Sequence, residues 1–156
     1  MRATVVCASN CAAAGVYEDT TGPLIAEALA GLGFEVTGPL VVPDGEPVAD
    51  AIRAAVDAGA RVVLTTGGTG LTPTDRTPEV TGPLLDAEIP GLAEAIRAYG
   101  VRKGVPTAVL SRGLAGRVGR CLVVNLPGSR GGVKDGLAVL RPILVHAAEQ
   151  VVGSDH

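Results

Sequence analysis

The chain has 156 residues, 47% of them apolar, and a formal net charge of −3, which suits one domain with its own core. The absence of a basic block argues against nucleic acid as a primary partner, and no apolar run reaches the ~18 residues of a membrane span. Met1-Arg2 leads straight into a strand pattern without a signal-peptide core, and three cysteines suit a reducing compartment better than a disulfide framework, so a soluble, cytoplasmic protein is expected.

Residues 2–8 (RATVVCA) read as a buried strand. Cys7 lies within it and reads as a small core residue. Cys7-x-x-x-Cys11 has no second cysteine pair, and the only histidines are His146 and His156, so zinc is not expected. Residues 9–21 are small and polar, a loop offering Ser9, Asn10, Tyr17 and Asp19. Pro23 suits a first helical turn, and Leu24, Ile25, Ala28, Leu29 and Leu32 mark one helical face. A second strand is expected over 34–42, bent or interrupted at Gly38-Pro39, followed by a Pro43-Asp44-Gly45 turn. Pro47 begins a helix with Val48, Ile52, Ala55 and Val56 inward, and a strand over 61–65 follows.

That strand opens into T-T-G-G-T-G-L-T-P-T-D-R-T-P, residues 65–78. A glycine-rich turn after a buried strand lets backbone N–H groups approach a ligand, and phosphate is the common one. Carboxylates repel phosphates unless a cation lies between them, so Asp75 beside this turn points to Mg²⁺. The stretch is neither G-x-G-x-x-G nor a P-loop, and the pattern leaves a phosphate site and a plain strand-to-helix turn both open. Thr77 is expected to cap a helix beginning at Pro78. Helix follows over 92–99, a strand over 106–111, a turn or short ribbon over 114–119 and a clear strand over 120–126. Val133, Leu137 and Leu140 carry a last helix to about Val151, kinked or split by Pro142. The alternation predicts an α/β fold: a single three-layer domain over 1–152 with a mostly parallel central sheet and helices on both faces. Residues 153–156 are expected to fray.

Ligands in such sheets bind beyond the carboxyl ends of the strands. Four loops fall there: 9–19, 43–46, 66–78 and 125–132, the last (N-L-P-G-S-R-G-G) ahead of a helix. Each candidate also has a purely structural reading. Asp44 would form an Asx turn, Asp75 would cap the helix near Thr77, Asn125 would bond its own turn, and Asp19 would be a solvated loop charge.

The ordered set T-T-G-G-T-G, T-P-T-D-R-T-P, A-E-I-P-G-L, L-S-R and N-L-P-G-S, with G-V-Y-E-D-T-T-G and V-P-D upstream, resembles the MogA/MoaB family of molybdenum-cofactor biosynthesis across essentially the whole chain. The resemblance implies a doubly wound domain, usually homotrimeric, that joins molybdopterin to AMP from ATP, releases pyrophosphate and passes its product to a molybdate-insertion protein. A non-catalytic member that binds pterin or nucleotide as an assembly partner is the alternative. By motif, Asp44 and Asp75 match the family's catalytic aspartates, with Mg²⁺ as the metal they would position. Gly67, Gly68, Thr69 and Gly70 match its glycine loop, Glu88 its E-x-P-G segment and Ser111 its pterin-side serine. Asn125, Pro127, Gly128 and Ser129 match its second loop, and Ser9 belongs to the loop after the first strand. There the chain departs from the family, carrying Asn10 where many members have an aspartate.

Overall fold

A computed structural model describes residues 1–153. The expectation of a frayed tail lies, from Ser154 onward, outside the described residues. The elements in chain order begin with β1 (Arg2–Ala8), α1 (Asn10–Ala13), α2 (Thr21–Gly31), β2 (Glu35–Val42), α3 (Glu46–Asp57) and β3 (Val62–Thr66). They continue with α4 (Thr77–Thr81), β4 (Ala87–Glu88), α5 (Pro90–Arg102), β5 (Ala115–Val118), β6 (Cys121–Leu126), α6 (Arg130–Leu140) and α7 (Leu144–Gln150). Short 3₁₀ turns span Gly82–Leu84 and Pro106–Leu110.

Six strands form one sheet in the order β2-β1-β3-β6-β5-β4. β2, β1, β3 and β6 run parallel, and β5 and β4 add an antiparallel edge. The central strands are buried on both faces, which is why they read as continuous apolar runs rather than alternating ones. Their side chains still alternate in direction. Val5, Leu64 and Val124 pack with Ile25 and Leu29 of α2 and Leu137 and Leu140 of α6. Val6, Val63 and Val123 pack on the other side with Val48 and Ile52 of α3 and Val80 of α4. Cys7 is 5% exposed, in keeping with its reading as a core residue.

Three expectations need correction. Residues 106–111 form no strand: Pro106–Leu110 is a 3₁₀ turn whose Val109 and Leu110 stay exposed. The sheet edge on that side is already occupied by β5 and β4, so these apolar residues line a surface instead of a ladder. Thr77 does not cap α4. It is the helix's first residue, and its hydroxyl donates to Asp44 Oδ1 (3.4 Å), while the same oxygen accepts the Arg76 N–H from outside the helix. Residues 10–13 are a helical turn rather than open loop, capped by Ser9 Oγ accepting the Ala12 N–H. The chain splits at Pro142 as expected, giving α6 and α7.

From β1 the chain crosses to β2 at the sheet edge, then returns past β1 to β3. The loops leaving β1 and β3 therefore diverge, one to α2 on one face and the other to α4 on the opposite face. The gap between them is the crevice at a topological switch point.

Candidate functional site

Three parallel strand ends converge on Gly67. Its N–H donates to Leu126 O (3.1 Å), a Cβ at this position would strike Ala8 O, and a Cβ on Gly128 would lie 3.2 Å from the Gly67 Cα. Gly67 and Gly68 have φ of +90° and +69°, so both the approach and the backbone conformation call for glycine. Hollows open on either side of this pinch. One, about 340 Å³, lies between the β1 loop and residues 66–68, with Ser9, Asp19 and Gly128 in its wall. The other, about 510 Å³ and more open, is walled by Thr69, Gly70, Asp75, Ser111, Pro127 and Ser129. A larger hollow of about 660 Å³ lies between α2 and α6. It is lined by helical side chains away from the four loops and meets none of the candidates.

The two aspartates bracket the glycine loop. A Cβ on Gly68 would clash with Asp44 Oδ2, and Asp75 Oδ2 lies 2.7 Å from the Cβ position of Gly70. Asp44 Oδ1 accepts the Gly45 N–H (2.6 Å), the Arg76 N–H (3.2 Å) and the Thr77 hydroxyl, so it tethers the glycine loop's exit far beyond a local turn. The Asn10 side chain in turn accepts the Asp44 N–H (3.0 Å), which gives the residue standing in place of an aspartate a positioning contact. Burial pushes the Asp44 carboxyl above its ordinary 3.8; hydrogen bonds from Gly45 and Arg76 oppose this, and the Asp75 charge adds to it. Asp75 Oδ2 accepts the Thr72 N–H (3.0 Å) and hydroxyl (2.7 Å), closing its own turn rather than capping α4. Among the described residues, Asp44 Oδ2 and Asp75 Oδ1 accept no hydrogen bond, and no cluster of three or more His, Cys, Asp or Glu is present. Two carboxylates, each with an uncommitted oxygen, are a donor set whose chemistry suits a hard divalent cation.

Sequence reasoning passed over the residues that hold these loops. Arg112 donates from Nε to Gly70 O (2.8 Å), from Nη2 to Asp75 O (2.9 Å) and from Nη1 to Glu79 (2.6 Å), and its own N–H donates to Thr69 O (2.9 Å). One guanidinium thus spans the whole second half of the glycine stretch. Thr66 Oγ1 donates to Pro127 O (2.7 Å), tying the β3 loop to the β6 loop. The signal available was Thr65-Thr66 at the end of a strand otherwise built of valine and leucine, a pair of buried hydroxyls that need partners.

The remaining candidates divide. Ser111 Oγ donates to the buried Thr69 hydroxyl (3.4 Å), and Ser129 Oγ accepts the Gly132 N–H at the start of α6 while lining the open hollow. Asn125 does not reach the cleft. Its Nδ2 donates to Thr65 Oγ1 (2.9 Å) and Thr81 Oγ1 (3.3 Å), and its Oδ1 accepts the Leu114 N–H (3.1 Å), so it forms the floor beneath it, not the local turn bond either. Glu88 is exposed on β4 and lines neither hollow. Asp19 Oδ1 accepts the Thr21 and Gly22 N–H groups at the head of α2, so it is not merely solvated. Burial, with the Asp19 carboxylate nearby, pushes the Cys7 thiol up to about 12, which keeps it protonated and without nucleophilic character.

A glycine loop and a pair of carboxylates beside the switch point of a mostly parallel sheet define a class of doubly wound α/β domains with a ligand crevice at the strand ends. Within that class, the family model for a probable molybdopterin binding domain matches residues 4–146, and the chain belongs to this family. It is 40% identical over 153 residues to the molybdopterin adenylyltransferase of Pyrococcus furiosus, covering 93% of this chain and 90% of that protein. It is also 40% identical to the molybdenum cofactor biosynthesis bifunctional protein of Synechococcus elongatus, covering 99% of this chain and 48% of that protein. The chain spans about half the length of the bifunctional relatives it matches. A solved structure of MogA superposes with a TM-score of 0.94 at 56% identity, covering 97% of this chain and 99% of that one.

Proposed function

We propose that the protein is a molybdopterin adenylyltransferase that transfers AMP from ATP to molybdopterin, releases pyrophosphate and acts as a cytoplasmic homotrimer ahead of a molybdate-insertion protein. A terminal phosphate oxygen of molybdopterin forms a bond to the α-phosphorus of ATP. The bond from that phosphorus to the bridging oxygen breaks, and pyrophosphate leaves with the electron pair. No proton need be removed, because a phosphate nucleophile is already ionised, so the aspartates serve position rather than base catalysis. Bound Mg²⁺ would neutralise the pyrophosphate charge. The chain's own contribution is to hold anions together: backbone donors of residues 68–70 and the start of α6 near Ser129 meet the phosphates, while Asp44 and Asp75 orient the cation.

The observation that carries this reading is the pairing of both carboxylates with the glycine loop, Asp44 against Gly68 and Asp75 against Gly70. Incubation with ATP, Mg²⁺ and molybdopterin tests it. Pyrophosphate release is expected, and Asp75→Asn is expected to abolish it while leaving molybdopterin binding largely intact. Binding without turnover by the unaltered chain would identify a non-catalytic member and overturn the reading.

A further inference from the structure

Arg130 is the first residue of α6, directly after the Gly128-Ser129 turn that walls the open side of the cleft. Its Nη1 donates to Thr20 O (3.4 Å), so the side chain crosses from the β6 loop to the β1 loop, 110 residues away in sequence. Thr20 and Gly128 both line the hollow of about 340 Å³, and the guanidinium is thus tied to the wall of that hollow. Nε and Nη2 make no hydrogen bond among the described residues. These two nitrogens share one edge of the guanidinium plane, the fork that grips two phosphate oxygens at once. The side chain is anchored through one nitrogen and uncommitted along the edge that recognises anions.

The surroundings call for such a cation. Glu18 and Asp19 line the hollow, and among the described residues no lysine or arginine does. Asp44 stands against Gly68 on the same wall. The two helix starts nearby spend part of their positive ends on the chain itself. Asp19 Oδ1 accepts the Thr21 and Gly22 N–H groups of α2, and Ser129 Oγ accepts the Gly132 N–H of α6. Arg112, which grips the glycine stretch, has Nε, Nη1 and Nη2 all engaged. A phosphate entering beside the β1 loop therefore meets carboxylates first, and Arg130 is the guanidinium with a free edge to offset them.

We propose that Arg130 is a phosphate-contact residue of the reaction: Nη1 stays on Thr20 O while the Nε–Nη2 edge takes two oxygens of a phosphate group. The proposal rests on the function given above, which supplies phosphates of two origins, the polyphosphate of ATP and the terminal phosphate of molybdopterin. The chemistry recognised is the same in both.

Isothermal titration calorimetry of the full chain with ATP, inorganic pyrophosphate and molybdopterin, each with Mg²⁺, tests it on the unaltered protein, Arg130→Gln and Lys134→Gln. Lys134 is exposed on the same helix and lines the separate hollow between α2 and α6, so Lys134→Gln removes the same charge from a different surface. Arg130→Gln should weaken ATP and pyrophosphate about tenfold or more, and Lys134→Gln less than about twofold. Arg130→Lys, a point charge without the fork, should recover only part of the loss. Arg130→Gln gives up one long, exposed hydrogen bond, so its thermal midpoint should stay at the unaltered value. A loss confined to molybdopterin sustains the contact and gives it to the pterin's terminal phosphate. No change for any of the three compounds, an equal loss in Lys134→Gln, or full recovery by Arg130→Lys would overturn it. Titration needs no turnover: an unaltered chain that binds these compounds without releasing pyrophosphate overturns the reaction and leaves the contact standing, whereas one that binds none of them overturns both.

Discussion

The Asp44 carboxylate and Gly68 are in direct contact: a Cβ on residue 68 would clash with Oδ2 of the aspartate and with the Thr77 hydroxyl beside it. The glycine loop is thus shaped by its carboxylate as much as by its own turn. Gly68→Ala is expected to cost about 1–3 kcal/mol and to lower AMP transfer by about 100-fold or more, since Asp44 must move. Gly33→Ala is the control. It has a comparable φ of +91° but nothing within 4 Å, so it should cost stability and leave transfer unchanged. Thermal denaturation and pyrophosphate release measured on both variants check this; equal activity loss would refute it.

Asp44 sets a pH dependence whose sign follows from its raised pKa. The unfolded chain ionises this group at the ordinary 3.8, while the folded chain holds the proton to higher pH. Between those values the folded state binds more protons, so Asp44's contribution to stability is full below 3.8 and is lost as pH rises through the folded pKa. The difference in unfolding free energy between Asp44→Asn and the unaltered chain should therefore move in the variant's favour across that window and then level off. Urea denaturation at a series of pH values measures it, and parallel curves would contradict the assignment.

Arg112 should matter far more than its visible salt bridge. The pair with Glu79 is substantially exposed, so Glu79→Gln should change AMP transfer less than about twofold. Arg112→Lys keeps the charge but cannot reach Gly70 O, Asp75 O and Glu79 together, and should lower transfer about tenfold or more. Steady-state kinetics on the two variants distinguishes a loop clamp from a surface ion pair.

Asn125→Leu tests the floor of the site. It strands the Leu114 N–H and removes the partner of the Thr65 and Thr81 hydroxyls, at an expected cost of about 2–4 kcal/mol in urea denaturation. Below the variant's melting temperature, nucleotide binding should stay within about threefold of the unaltered chain. A selective loss of binding would restore Asn125 to the ligand's contact set.

The fold was legible because buried parallel strands write themselves as uninterrupted aliphatic runs bounded by glycine and proline. The sequence Arg2-Ala3-Thr4-Val5-Val6 and the run from Cys121 to Leu126 needed no tertiary information. The stretch over 106–111 misled for the same reason: its apolar residues look like a strand, yet no ladder position was open to them. Asn125 misled differently. Its motif pointed to a ligand, but the polar groups below it, on β3, α4 and the approach to β5, are 60, 44 and 11 residues away in sequence.

By itself, the sequence determined the doubly wound class, the four loops at one sheet edge and the two aspartates among them, because each depends on local periodicity, turn chemistry or a motif read in order. Tertiary structure decided what those aspartates touch. Gly68 meets Asp44, and Arg112 grips Gly70 and Asp75, across separations of 24 to 42 residues that no local rule can register.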